Sequence, residues 1–129
     1  MQIQRFDHLV LTVRDAQRSI DFYTNVLGMS EVTFGPGRKA LSFGHQKINL
    51  HEVGREVDPK AAKPTPGSAD LCFISDTPMD TILADLRKHG VEIITGPVER
   101  TGALGPITSV YFRDPDQNLI EVSNYPSDG

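Results

Sequence analysis

The chain has 129 residues, with 13 Lys and Arg against 17 Asp and Glu, for a formal charge of −4 and no block of like charge. Its length suits one compact domain that can bury a core without disulfides or a structural metal, and the mildly acidic balance argues against nucleic acid as a partner. A single cysteine, Cys72, excludes an intramolecular disulfide framework. The lack of a long apolar stretch argues against a secretory leader and a membrane partner, so a cytoplasmic protein is expected.

The first element, Phe6 to Val13, alternates with Leu9, Leu11 and Val13 on one face and His8, Val10 and Thr12 on the other, which is strand periodicity. Asp15 is placed to cap a helix whose apolar stripe, Ile20, Phe22, Tyr23, Val26 and Leu27, ends at Gly28. Three strands are expected around Ser30 to Phe34, Lys39 to Phe43 and Ile48 to Glu52, separated by the turn formers GPGR and GHQ. The first half, residues 1–53, thus reads β-α-β-β-β.

Residues 54–68 contain Pro59, Pro64 and Pro66 without apolar periodicity and suit an exposed linker. A second module over 69–125 repeats the order. It runs from a strand at Ala69 to Ser75 into a helix capped by Thr77 with Pro78 at its first position, followed by strands at Val91 to Ile94, Ile107 to Phe112 and Leu119 to Ser123. Between Val98 and Ile107, ERTGALGP suggests a loop longer than a tight hairpin requires and able to cover a site, and residues 126–129 form a tail. Cys72, inside DLCFI, is expected to be a buried small hydrophobe.

The two halves carry polar residues at matching places. His8 heads the first strand as Asp70 heads its repeat, 62 residues later, and His51 in KINLHE stands opposite Glu121 in QNLIEVSN, 70 residues later. Alternation turns all four away from the helix-packed face, so two curved sheets facing each other would bring them into one pocket. Two imidazoles and two carboxylates suit a divalent ion such as Zn, Ni, Fe or Mn. Such an ion acts as a Lewis acid on a small-molecule substrate, with Glu121 or Asp70 moving a proton. Taken singly, each of these residues is more commonly structural; their register with the repeat is what joins them. His45 in a turn and His89 at a helix end read as structural. Ser109 and Tyr111 share a strand face on which they could contact a substrate.

The segments DHLVLTV, FYTNVLGM, KINLHE and YFRDPDQNLIEVSN resemble the vicinal oxygen chelate superfamily, which includes glyoxalase I, fosfomycin-resistance thiol transferases, extradiol dioxygenases and bleomycin-resistance proteins. The stretches RKALSFGHQKINLHE and GPVERTGALGPITSVYFRDPDQNLIEVSNY are similar in particular to the glyoxalase domain-containing protein 5 group. The resemblance implies an α+β fold of two paired βαβββ modules, whose curved mixed sheets surround a central cavity and whose ligands come from the first and last strands of each module. His8 and Glu121 match the usual residue types, whereas His51 and Asp70 depart from the glyoxalase I pattern. The implied function is a metal-dependent glyoxalase-type enzyme, lyase-like or isomerase-like, acting on a small oxygen-rich or thiol-adduct substrate. Two alternatives are an Fe(II) ring-cleaving dioxygenase using His8, His51 and Glu121, and a metal-free protein that sequesters a drug or metabolite. Relatives of this size imply a homodimer.

Overall fold

A computed structural model describes residues 1–127, so the last two positions of the expected 126–129 tail lie outside the described residues. The chain divides into two compact units, Met1–Ser68 and Ala69–Gly129. The first contains β1 (His8–Val13), α1 (Ala16–Asn25), β2 (Ser30–Phe34), β3 (Arg38–Phe43) and β4 (Gln46–Glu52). Its sheet has the order β1-β4-β3-β2, with β1 parallel to β4 and the other pairs antiparallel. The second contains β5 (Asp70–Ile74), α2 (Met79–Lys88), β6 (Thr95–Gly102), β7 (Gly105–Arg113) and β8 (Leu119–Asn124), and it repeats the arrangement as β5-β8-β7-β6. Each unit is therefore a βαβββ module with one mixed sheet, and the α+β class that the resemblance implies is what the chain forms.

Sequence explains each start and stop. Asp15 has extended backbone and its carboxylate accepts from the amides of Gln17 and Arg18 at 3.0 and 3.3 Å, which satisfies two of the helix's orphan donors. Ser19, Ile20 and Tyr23 form the buried stripe of α1. Beneath it in the first unit, Leu11, Val13, Leu41, Ile48 and Leu50 are buried, and removing each such side chain from water contributes about 2 kcal/mol. In the second unit the corresponding layer is Val110, Phe112, Ile120 and Val122, with Ile82, Leu83 and Leu86 of α2.

Three expectations are corrected. The second strand of the second module is not Val91 to Ile94 but Thr95–Gly102. Gly96 and Pro97 read as breakers, yet β6 lies at the sheet edge, where a proline removes no ladder bond, and the register shifts between Thr95 and Val98. For the same reason ERTGALGP is not a long covering loop: Thr101 pairs with Pro106 and Gly102 with Gly105, leaving only Ala103 and Leu104 at a tight hairpin tip. Finally, Thr77 does not cap α2. Pro78 occupies the cap position without a side-chain bond, and the Thr77 carbonyl instead accepts from the Asn124 amide at 2.9 Å.

Candidate functional site

Strand parity places the chemistry of the first unit. The face of its sheet away from α1 carries His8 and Thr12 on β1 and Asn49 and His51 on β4. His8 is half exposed, and its Nδ1 lies 2.8 Å from the Asp7 carboxylate, which is held below the usual carboxylate range chiefly by that hydrogen bond. The same contact orients the ring and turns Nε2 away from Asp7. On β4, Asn49 and His51 are 5 % and 8 % exposed, and Asn49 Oδ1 and His51 Nε2 are buried with no hydrogen-bond partner. Burial, and then the nearby Arg38 charge, push the His51 pKa below its ordinary value.

His8 and His51 share a face but not a rung. His8 pairs with Lys47, and His51 with Thr12, so their Cα positions are offset by about 13 Å along the strands at ~3.3 Å per residue. Two nitrogens on one ion would sit about 3–4 Å apart, a geometry this register weighs against. The register also corrects the repeat. In the second unit Asp70 pairs with Leu119 and Cys72 with Glu121; in the first His8 pairs with Lys47 and Val10 with Asn49. The counterpart of Glu121 is thus Asn49, and the counterpart of His51 is Ser123. The signal was present in the sequence, because Ile48 and Leu50 flank Asn49 as Ile120 and Val122 flank Glu121.

The second unit presents Asp70, Cys72 and Ile74 on β5, Glu121 and Ser123 on β8, Ser109 and Tyr111 on β7, and Arg100 on β6. Glu121 is the fixed point of this face. Ser109 Oγ donates to Glu121 Oε2 at 2.5 Å, and Ser123 Oγ does so at 3.3 Å. The two hydroxyls are 2.6 Å apart, and Cys72 Sγ lies 3.4 Å from Ser123 Oγ. Cys72 is exposed rather than buried, since it shares the parity of Asp70, and burial of its sulfur atom, opposed by the Ser123 contact, still raises its thiol pKa. Asp70 is exposed. Ser109, expected to meet a substrate, has no exposed surface; it positions the Glu121 carboxylate instead.

Beside Glu121 opens a cavity of about 410 Å3 lined by Cys72, Ile74, Arg100, Thr101, Gly102, Ala103, Ile107, Tyr111, Glu121 and Tyr125, within the range of small-ligand sites. Tyr111 lines it, and so do Arg100 and Tyr125, which were not foreseen because both depend on the unrecognised β6 hairpin. Arg100 Nε donates to the Tyr111 hydroxyl at 3.1 Å, and the backbone amide of Leu104 at the hairpin tip donates to the Tyr125 hydroxyl at 3.0 Å. His89 Nδ1 lies 2.8 Å from the Asp85 carbonyl at the end of α2, as a structural group would. Among the described residues, no group of three or more His, Cys, Asp or Glu side chains gathers closely enough to hold a metal ion. No helix among them is long and apolar enough to cross a membrane.

A βαβββ unit repeated, with acidic and imidazole groups on the face away from its helix, defines a class. Residues 5–122 match the family described as Glyoxalase/Bleomycin resistance protein/Dioxygenase superfamily, and the chain belongs to it. Among individual proteins it is similar to virulence protein STM3117 of Salmonella typhimurium, with 59 % identity over 97 % of this chain and 87 % of that one. The crystal structure of that protein superposes with a TM-score of 0.96, covering 98 % of this chain and all of the other. The glyoxalase domain-containing protein RDO1 of Mycosarcoma maydis is 55 % identical over 97 % of this chain and 70 % of its own. The metallothiol transferase FosB of Shouchella clausii is 23 % identical over 93 % of this chain and 80 % of its own.

Proposed function

We propose that this chain is a metal-dependent enzyme of glyoxalase type, acting on a small oxygen-rich or thiol-adduct substrate, with His8, Asp70 and Glu121 as ligands of a divalent ion. The observation that carries this reading is the Glu121 carboxylate, held by Ser109 and Ser123 hydroxyls at the edge of a small-molecule cavity. The donor set fits a divalent ion by its chemistry: one neutral imidazole oriented by Asp7, and two carboxylates that balance its charge. Zn, Ni, Fe and Mn all suit it. The family and the metallothiol transferase relative give further support.

When bound, the ion supplies Lewis-acid stabilisation of negative charge on substrate oxygen. The chain does the rest. Ser109 and Ser123 keep Glu121 in one orientation, so it does not have to reorganise during the reaction. Asp70, exposed on the same face, moves a proton when it is not holding the ion, and Tyr111 shapes the cavity wall. His51, offset from His8 by four residues in the register, is left out of this ligand set. We further propose a cytoplasmic homodimer, since Val10 and Ile74 on the two ligand-bearing faces remain 45 % and 51 % exposed and apolar surface of this kind favours association.

Titration of the purified protein with Zn, Ni, Fe(II) and Mn, read by calorimetry and elemental analysis, should show one specific ion per chain, weakened at least tenfold in His8→Gln and Glu121→Gln. Absence of a specific ion, with ligand affinity surviving chelation, would instead point to the sequestering function. Oxygen uptake with catechols would identify the ring-cleaving one.

A further inference from the structure

Arg100 is a cation without an anion. Its guanidinium carbon lies 5.5 Å from the centre of the Tyr111 ring, its Nε donates to the Tyr111 hydroxyl at 3.1 Å, and its Nη1 donates to the Glu99 carbonyl at 3.0 Å. Two of its five N–H donors are thus spent on neutral oxygens that fix the plane of the fork. Among the described residues no carboxylate pairs with it. It lines the same cavity as Glu121, and Tyr111, which carries it, is the register partner of Glu121 across β7 and β8.

From this we infer that Arg100 is the anion anchor of the cavity, and that the ligand is a small monocarboxylate whose oxygen-bearing end lies toward Glu121. The inference deepens the proposed function and rests on it only for the role of Glu121. A guanidinium fork already oriented by an aromatic ring matches the two oxygens of a planar carboxylate. It also loses little side-chain entropy on binding, because the packing against Tyr111 has removed that freedom beforehand. Charge selects the ligand further. Arg100 supplies one positive charge, and the negative Glu121 stands on the next strand but one, so a doubly charged phosphate or phosphonate would meet repulsion that a single carboxylate avoids. The walls between the two poles include Ile74 and Ile107, which suits an apolar middle.

The protein has three tyrosines and no tryptophan. Tyr23 is fully buried on the inner face of α1, whereas Tyr111 and Tyr125 line the cavity, so intrinsic tyrosine fluorescence reports on the site directly. The full-length protein, with and without added Zn, is titrated with mandelate, with its neutral amide and with phenyl phosphate. Saturable quenching by mandelate, at least tenfold weaker for the amide and for phenyl phosphate, is expected. In Arg100→Gln the preference for acid over amide should vanish, while metal stoichiometry and circular dichroism stay unchanged; Arg100→Lys, which keeps charge but lacks the fork, should fall between. No saturable mandelate quenching, equal binding of acid and amide, or a preference that survives in Arg100→Gln each overturns the inference. A protein that binds no metal yet keeps the Arg100-dependent preference sinks the enzyme reading alone.

Discussion

Asp114 shows how much one side chain fixes. In the DPDQN turn its Oδ1 accepts from the amides of Asp116 and Asn118, both at 2.9 Å, and its Oδ2 accepts from the Asn118 side chain at 2.8 Å. Asn118 Oδ1 in turn accepts from the Ala69 amide at 2.9 Å, which ties the turn to the entry of β5. With Asp114 and Asn118 3 % and 1 % exposed, Asp114→Ala strands several buried donors and should cost about 3 kcal/mol, read as a lower urea midpoint. His51 gives a prediction of opposite kind. Its pKa is lowered in the native state from 6.5, so the unfolded chain binds a proton that the folded chain resists. Its contribution to stability is complete above pH 6.5 and is lost as pH falls through and below that value; His51→Gln should flatten this decline in a series of thermal melts. Asp7 acts through His8. If the imidazole ligates an ion, Asp7→Asn should weaken that ion by about tenfold or more in the same calorimetric titration, with little change in unfolding midpoint because the pair is exposed.

At the scale of elements, what the sequence showed and what it hid have separate causes. Strands with strict alternation and flanking turn residues, such as β1 and β2, were legible, as was α1 with its Asp15 cap. Asp15→Ala should therefore cost about 1 kcal/mol by chemical denaturation, and should leave the Tyr111 and Tyr125 signal of the cavity untouched. β6 was hidden because local propensity and position in the sheet disagree: Gly96-Pro97 breaks an inner strand but not an edge. Gly96 itself is required by space. Its φ is +119°, and a Cβ there would stand 2.5 Å from the Ser109 carbonyl oxygen and 2.9 Å from the Val110 Cα, backbone atoms that cannot swing aside. Gly96→Ala should cost at least 2 kcal/mol. Because it pushes on the residue that orients Glu121, it should also weaken metal binding, whereas Gly28→Ala, with open space around its Cβ, should affect folding alone. With β6 unread, Arg100 and Tyr125 had no visible place in a site.

At the scale of the whole chain, the duplication was legible but its register was not. Matching His51 to Glu121 paired two ligand-type residues, while the register follows the flanking apolar pairs, Ile48 and Leu50 against Ile120 and Val122, and these select Asn49. The proposed dimer brings a test that belongs to this scale. Mixing inactive His8→Ala and Glu121→Ala proteins, after mild unfolding and refolding together, should restore up to a quarter of the activity if each centre draws on two chains, and none if each lies within one. Sedimentation in the same samples should show a species of twice the 14.2 kDa chain mass.

The rung that sets Asn49 against its counterpart Glu121 has an evolutionary reading. Asn49 carries a short, neutral amide where its counterpart Glu121 carries a longer acid, so the two copies differ in charge while both keep a polar side chain between aliphatic neighbours. Loss of one anion in a symmetric ancestor would break the equivalence of its two hollows, leaving one free to specialise. Restoring it with Asn49→Glu would turn the first unit back toward its twin, making the divergence of the pair open to reversal at one codon.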